Sequence, residues 1–199
     1  MSIQNYVYGV QGAFLIRIIA WFYENLSKEG RILRSPTWGR LSLDESIAKI
    51  MKFVSADNHS QYRFIIGTDS QVYKKQRVVF VSTIIVHRIG FGAICFYEKK
   101  VKIKKYSLRE RMFTEVFLSL DLATRFLNAI KEHHCALYNA MDDLEIHVDV
   151  GEHGATRDLI NAVTGMVKGC GFLCCTKPDA CGASSVADRF AKISGPLTA

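Results

Sequence analysis

Hydrophobic residues recur at helical spacing in one early segment of the chain and then give way to runs that are typical of strands. Ser42-Leu-Asp-Glu45 has the composition of a capping box, and the apolar positions after it predict a helix that ends near Ser55. Three segments rich in β-branched residues follow, and turn residues separate them. They predict three sequential antiparallel strands, Arg63–Asp69, Val78–Ile89 and Ala93–Ile103.

In the second half of the chain the pattern alternates between helical and strand spacing. Ser107-Leu-Arg-Glu110 is a second capping box, and it predicts a helix that reaches about His133. The predicted elements after it are a strand, a helix, a strand and a helix, at Leu144–Gly151, Thr156–Lys168, Phe172–Lys177 and Ala183–Ile193. Strands that are joined through helices are parallel, with right-handed crossovers. The order predicts an α/β fold.

The most apolar segment, Gly12–Tyr23, lies before all of these elements. It is shorter than the roughly 20 residues that span a bilayer, and Arg17 lies at its centre. We therefore expect no membrane contact, but a helix that packs on the domain or on a second copy of the chain. Because the stretch Arg34–Gly39 is rich in turn residues, we divide the chain into an N-terminal apolar helical extension, 1–34, and a domain, 35–199.

Composition excludes several protein classes and indicates a polyanionic partner. Of the 199 residues, 49% are hydrophobic and 23% are charged, which excludes a disordered chain. The net charge is +7, and the segment Glu98–Arg111 alone holds seven basic and two acidic residues. A basic domain favours polyanions, among which nucleic acid is the commonest.

The six cysteines are expected to be reduced, partly buried thiols. No basic region of a secretory signal precedes Arg17, so we expect a cytoplasmic protein rather than one from an oxidising compartment. Four of the cysteines lie between Cys170 and Cys181. Their spacing lacks the second cysteine or histidine pair that is typical of a structural zinc site.

Acidic side chains occur where a sheet of this kind binds ligands. Asp69 and Asp149 each end a predicted strand, and ligands usually bind at the carboxyl ends of strands. Glu115 falls within the inward stripe of the helix after Ser107, where a carboxylate is costly to bury unless it is paired or binds a cation. Asp188 lies on the polar side of the last helix. Each acid also has a simpler interpretation. Asp69 and Asp149 are then turn residues, Glu115 is a salt-bridge partner, and Asp188 is a solvated surface acid.

Taken together, these acids suit a site for divalent metal ions. Mg²⁺ and Mn²⁺ prefer oxygen ligands from a few carboxylates, waters and substrate phosphate. Acids from three or four elements can hold two such ions about 4 Å apart, one to activate a water and one to stabilise the leaving oxygen of a phosphodiester. No serine–histidine–aspartate pattern, P-loop or dinucleotide fingerprint competes with this interpretation.

Three motifs give the chain a resemblance to a known family. The segments IIGTDSQ, IHVDVGEHGATRDLI and KPDACGASSVADRFAK are similar to the YkuK-like family of small bacterial ribonuclease-H-like proteins, and the resemblance covers about residues 35–192. It implies a five-stranded mixed sheet in the order 3-2-1-4-5 with helices on both faces. It also implies a catalytic metal site of Asp69, Glu115 and Asp149, with Asp188 where ribonuclease H enzymes carry their last acid.

Polar residues beside these acids have alternative interpretations. Ser70 and Gln71 follow Asp69 directly, so they either contact the sugar and phosphate of a nucleic acid or only cap a turn. His147 shares a strand face with Asp149. It either orients a ligand or water at the site or is an ordinary packed or solvated histidine.

Two basic groups are candidates for contact with phosphate. The glycine-rich loop that begins at Gly151 leads to Arg157 at a predicted helix start, and it either cradles a phosphate with backbone N–H groups or is an ordinary turn. Lys100, Lys102 and Lys104 share one face of the third predicted strand. They either follow a nucleic-acid backbone toward the site or protect a sheet edge against aggregation.

Two functions from different classes fit these observations. The first is a metal-dependent nuclease that hydrolyses phosphodiester bonds of RNA, DNA or an RNA/DNA hybrid with two Mg²⁺ or Mn²⁺ ions. The second is a nucleic-acid-binding module on the same fold that cleaves weakly or not at all. An actin-like ATPase needs two such domains around a cleft, so it ranks last. The apolar N-terminal segment favours a homo-oligomer.

Overall fold

The described residues form one mixed sheet with helices packed against it. A computed structural model describes residues 32–74, 76–133, 137, 144–151, 157–180 and 189–190. The strands are β1 Leu33–Ser35, β2 Gly39–Leu41, β3 Tyr62–Val72, β4 Arg77–Arg88, β5 Gly92–Ile103, β6 Leu144–His147 and β7 Leu173–Cys175. The helices are α1 Leu43–Ser55, α2 Leu108–His133 and α3 Ile160–Gly169, and a 3₁₀ turn at Arg157–Leu159 precedes α3. These elements confirm an α/β fold.

The sheet order is β2-β1-β5-β4-β3-β6-β7. Strands β3, β4 and β5 form the predicted antiparallel meander, and β6 and β7 add to β3 as parallel strands. The prediction of a five-stranded sheet in the order 3-2-1-4-5 is wrong for the described residues. The sheet has seven strands there, because the hairpin of β1 and β2 extends it beside β5.

The sequence predicted only a turn-rich boundary between the N-terminal extension and the domain in the segment where this hairpin forms. Gly39 adopts a φ of +72° at the start of β2, a conformation that glycine tolerates far better than other residues. Leu33 is completely buried, and the ring of Trp38 stacks on that of Phe96 with 5.7 Å between centroids. The hairpin is therefore anchored in the core of the domain.

Both predicted capping boxes are present at the helix starts. The Ser42 hydroxyl accepts the Glu45 N–H at 3.1 Å, and the Glu45 carboxylate accepts the Ser42 N–H at 2.7 Å. Ser107 and Glu110 make the same reciprocal bonds before α2, at 3.1 and 2.9 Å. Each box satisfies backbone donors that the first helical turn leaves without partners.

The main hydrophobic core lies between one face of the sheet and helices α1, α2 and α3. Its fully buried side chains come from every layer, namely Ile47, Ile50, Ile66, Ile84, Phe96, Leu122, Phe126, Ile130, Ile146 and Val163. On the other face, Val79 and Val81 form a smaller cluster with Tyr97 and Phe190. The rings of Tyr97 and Phe190 stack at 4.2 Å, so apolar contacts cover part of both faces.

Some predicted elements are shorter than expected or lie outside the described residues. Strand β6 ends at His147 instead of Gly151. Of the predicted extension 1–34, only Ile32 and the first two residues of β1 are described, and Leu33 and Arg34 belong to the sheet. The helical character of residues 1–31 stays a prediction, because they lie outside the described residues. Of the predicted last helix, only Arg189 and Phe190 are described, and both are helical. Among the described residues, no helix has the length and apolar character that crossing a membrane requires.

Candidate metal centre

The sheet opens beside β3 where β6 ends. Strand β6 pairs with β3 as far as His147, which lies opposite Gly67, whereas β3 and β4 stay paired as far as Val72. From Thr68 onward, β3 therefore has a described strand on one side only. The open edge lies at the carboxyl ends of two parallel strands, which is where ligands of such sheets usually bind.

Glu115 approaches this edge from α2. Its side chain faces the sheet as predicted and is 4% exposed, and the Ser70 hydroxyl donates a 2.6 Å hydrogen bond to its carboxylate. Burial raises the pKa of Glu115 to about 8, the Ser70 bond and the charge of Arg111 oppose this rise, and the charges of Asp69 and Asp149 add to it. Without a cation, this acid is largely neutral at pH 7.

A chain of buried hydroxyl groups fixes the position of α2 on the sheet. One helical turn after Glu115, the Ser119 hydroxyl donates to Thr68 Oγ1 at 2.9 Å. The hydroxyls of Thr68 and Ser82 are also 2.9 Å apart, and all three residues are buried. Since a buried polar group is costly unless it is hydrogen-bonded, sliding α2 along β3 would break this chain. The chain thereby holds Glu115 at the edge.

Asp69 belongs to the opposite face of β3 from Ser70, because successive strand residues alternate. It is half-buried, and its Oδ1 accepts a 2.7 Å hydrogen bond from the Ser70 backbone N–H. This bond keeps the carboxylate close to its own strand at the open edge. Ser70 therefore contacts two acids, Asp69 through its backbone and Glu115 through its hydroxyl.

Asp149 lies two residues beyond β6, at the same edge. Its Oδ1 is 2.7 Å from the Lys177 ammonium nitrogen, and this oxygen is buried and receives no well-aligned hydrogen bond from the described residues. The contact is therefore an ion pair. It raises the pKa of Lys177 against the opposing effect of burial, and the charge of Asp69 contributes in the same direction. The ammonium thus lies in the field of both aspartates.

The three acids come from separate elements and fit a hard cation. They offer carboxylate oxygens, which Mg²⁺ and Mn²⁺ prefer. Burial and the charges of Asp69 and Asp149 raise the pKa of Glu115, so a bound cation would stabilise its ionised form. The assignment of Asp69, Glu115 and Asp149 as catalytic metal ligands stays a prediction. Asp188, the fourth predicted ligand, lies outside the described residues.

The other predicted contacts to nucleic acid lie in different surroundings. Ser70 is 7% exposed, and it holds Glu115 instead of facing solvent. Gln71 is half-buried and shares the strand face of Asp69. Arg157 is exposed at the first position of the 3₁₀ turn, but the glycine-rich loop before it lies, apart from Gly151, outside the described residues. Roles for Ser70, Gln71 and Arg157 in nucleic-acid binding stay predictions.

Of the three predicted lysines, Lys100 and Lys102 lie on the face of β5 that packs on the helices, opposite to the face of Asp69. Phe96 of β5 lies in the main core, and Lys100 and Lys102 share its side of the strand. Lys104 lies one residue after β5 and forms a 3.2 Å ion pair with Glu110 at the start of α2. On the strand itself, Lys99 instead shares the face of Asp69. The sequence predicted that the three lysines lie together, but not on which face.

A second cluster of polar side chains lies on β6 and β7. The potential metal-ligand atoms of Glu145, His147 and Cys175 all lie within 4.8 Å of one another, which is close enough for all three to bind one metal ion. Arg63, however, donates two hydrogen bonds to the Glu145 carboxylate at 2.8 and 2.6 Å. The hydrogen bonds from Arg63 lower the pKa of Glu145 to about 2. The positive charge of the Arg63 guanidinium on the Glu145 carboxylate disfavours binding of a metal ion at the same carboxylate. The cluster is therefore a hydrogen-bonded network.

The histidine and the thiol of this cluster are both held in neutral forms. His147 is 1% exposed, and burial lowers its pKa although the 2.9 Å contact with Glu145 opposes this. Burial and the charge of Glu145 raise the pKa of Cys175 to about 11. The described cysteines are free thiols, of which Cys170 is exposed and Cys95, Cys174 and Cys175 are half-buried. A neutral Cys175 is a poor nucleophile.

Sequence reasoning missed Lys177 and the pairing of Arg63 with Glu145. A signal for Lys177 was available, because it is the final residue of the last predicted strand, Phe172–Lys177, and Asp149 lies near the end of the predicted strand before it. For Arg63 and Glu145 the signal was weak. The two residues lie 82 positions apart in the chain, and only the parallel register of β3 and β6 makes them neighbours.

Comparisons with known proteins agree with this fold. Residues 45–192 match the family described as "Ribonuclease H-like". The chain is 33% identical over 160 residues to the Bacillus subtilis (strain 168) protein described as "Uncharacterized protein YkuK", and the match covers 77% of this chain and 92% of that protein. No solved structure gives a significant match.

Proposed function

The chain belongs to the YkuK-like family of ribonuclease H-like proteins, and on this premise we propose that it is a metal-dependent nuclease that hydrolyses phosphodiester bonds of RNA, DNA or an RNA/DNA hybrid. The observation that carries the proposal is Glu115, a buried carboxyl that shares the open edge of the sheet with Asp69 and Asp149. Without a cation, burying this acid beside two like charges is unfavourable.

In the proposed mechanism the three acids hold a divalent cation, and Asp188 is the proposed fourth ligand. A bound Mg²⁺ or Mn²⁺ supplies a more acidic water and positive charge beside the phosphate. Glu115 would hold the cation in its ionised form, and the Ser70 hydroxyl would stabilise that carboxylate through its 2.6 Å bond. In the two-metal form predicted from the sequence, the same acids would hold a second divalent ion, which would add positive charge beside the scissile phosphate.

Basic and polar residues around the edge are proposed to bind the nucleic-acid backbone. Gln71 shares the face of Asp69, and Arg157 is exposed before α3. The lysines at 100, 102 and 104 add positive charge on the helix side of β5. Backbone contacts of this kind position a nucleic acid without reading its sequence.

The test is cleavage of labelled RNA, DNA and hybrid, each with Mg²⁺, with Mn²⁺ and with EDTA. We expect metal-dependent products from at least one substrate. Asp69→Asn should abolish cleavage and leave binding largely intact, because it removes a metal ligand but not the basic surface. Asp44→Asn is the matched control, since Asp44 is an exposed acid in the first turn of α1. Cleavage that survives in EDTA or in Asp69→Asn contradicts the proposal.

The competing function is a nucleic-acid-binding module that does not cleave. The ion pair between Lys177 and Asp149 favours it, because the ammonium already neutralises one of the proposed metal ligands. This function predicts salt-sensitive binding with no products under any metal condition. The substrate panel therefore separates the two functions directly.

A further inference from the structure

The backbone of Lys177 is anchored at the open edge, and its side chain is 54% exposed. Its N–H donates a 2.8 Å hydrogen bond to the Val150 carbonyl, which continues the pairing of β6 and β7 beyond the last strand residues. The Thr176 carbonyl accepts the N–H groups of Asp179 and Ala180 at 2.9 and 3.0 Å, and Ala180 is 1% exposed. The turn after Lys177 is therefore closed and anchored.

The segment around Gly151 leaves room for the aliphatic part of the Lys177 side chain. At Gly151 an added Cβ would lie 3.3 Å from the Lys177 Cβ and 3.8 Å from its Cδ. A side chain at position 151 would thus crowd the lysine. Glycine there permits the close approach by which the lysine reaches Asp149.

The ammonium reaches an oxygen that the proposed function assigns to a metal ion. It lies 2.7 Å from Asp149 Oδ1, and this buried oxygen has no aligned hydrogen bond from the described residues. An ammonium at this distance occupies the space around the oxygen that a bound cation needs. The charge of Asp69 also acts on Lys177. The ammonium therefore interacts electrostatically with both aspartates that the proposed function assigns to the metal ion.

Charge balance argues against two divalent ions beside this lysine. One divalent ion together with the ammonium balances three carboxylates. Two divalent ions together with the ammonium exceed the three carboxylates by two positive charges, of which Asp188, the proposed fourth ligand, would offset only one, and like charges repel strongly at a partly buried edge. The lysine and a second metal ion therefore compete for Asp149.

We propose that Lys177 is a built-in cation of this centre, whose ammonium takes the place of one of the two divalent ions at Asp149. The chain then binds a single divalent ion, and Lys177 supplies the second positive charge beside the phosphate. The inference rests on the proposed function, because it assigns the role of a residue within that site. Lys177 acts here as a fixed charge and exchanges no proton.

The number of bound ions tests this inference without any nucleic acid. Metal-depleted protein is titrated with Mn²⁺, and free Mn²⁺ is counted by electron paramagnetic resonance. We expect one ion per chain for the wild type and for Lys177→Arg, and two for Lys177→Met and Lys177→Gln. Lys168→Met is the matched control, because Lys168 is an exposed lysine in the last turn of α3, and it should stay at one ion. Thermal unfolding of each variant verifies that it is folded.

Three results would overturn the inference. They are two ions in the wild type, one ion in both neutral variants, and no ion in the wild type with one in the neutral variants, which would make Lys177 a blocking group. Failure of the proposed function looks different. In that case neither the wild type nor the variants bind Mn²⁺, or the ion count follows the expectation while the substrate panel yields no products.

Discussion

Replacing Glu115 by glutamine measures the stability that the chain loses by burying an acid at the open edge. Because this carboxyl is buried beside Asp69 and Asp149, the folded chain keeps its proton up to about pH 8, compared with an ordinary pKa of 4.5. Between these pH values the folded state binds one more proton than the unfolded state. The free energy of unfolding therefore falls as pH rises, by about 1.4 kcal/mol per pH unit.

The magnitude follows from the distance between the two pKa values. Integrated over that window, the loss in the metal-free chain is ~3 kcal/mol at pH 7 and ~5 kcal/mol at pH 9. Glu115→Gln keeps the size of the side chain and can still accept the hydrogen bond of the Ser70 hydroxyl, but it carries no charge. We expect the variant to equal the wild type near pH 4 and to exceed its stability by these amounts at pH 7 and 9.

The assay is urea unfolding in EDTA, followed by circular dichroism at pH 4, 7 and 9. Glu132→Gln is the control, because Glu132 is exposed near the end of the same helix and its replacement should change stability by no more than about 0.5 kcal/mol. Adding Mg²⁺ at pH 9 should stabilise the wild type but not Glu115→Gln. A stability difference between the two proteins that does not grow with pH refutes the reasoning.

Three further predictions test the surroundings of the centre. Ser70→Ala removes the hydroxyl that stabilises ionised Glu115, and since a hydrogen bond to a charged group contributes ~1.5–3 kcal/mol, Mn²⁺ affinity in calorimetry should fall about tenfold or more. Ser70→Thr should recover much of that affinity, and equal affinities in all three proteins would contradict the assignment. Replacing Lys100, Lys102 and Lys104 together by glutamine should weaken duplex binding and flatten its salt dependence by up to about 3 in slope. An unchanged slope in fluorescence anisotropy would exclude that face as the contact surface. Glu145→Gln removes a charge that raises the pKa of Cys175, so iodoacetamide should alkylate Cys175 faster at pH 8.5. Mass spectrometry measures this against Cys170 in the same sample, and equal relative rates in wild type and variant would contradict it.

The helix starts and the long strands could be predicted because short-range interactions define them. A capping box joins residues three positions apart, as Ser42 and Glu45 show. The meander is equally local, since each of its strands pairs with the next along the chain. The inward position of Glu115 followed from helical periodicity, because apolar residues one and two turns away define the buried stripe.

The hairpin of β1 and β2 could not be predicted in the same way. Each strand has only three residues, which is too short for an alternating pattern to stand out. Its attachment to the sheet depends on the pairing of Arg34 with Tyr97, and these residues are far apart in the sequence. Long-range pairing of this kind leaves no periodic signal in either segment.

Although β3 continues past Asp69 to Val72 and β6 ends before Asp149, the sequence alone indicated that Glu115 faces inward and that both aspartates lie near strand ends, because the helical repeat and strand alternation are properties of the local backbone. It also determined that the lysines of β5 lie together. Only the tertiary structure decided which sheet face those lysines share with α2. It also decided how far burial raises the pKa of Glu115 and that the Lys177 ammonium contacts Asp149. These outcomes depend on which segments meet and in what register, and distant segments are brought together only when the whole sheet has formed.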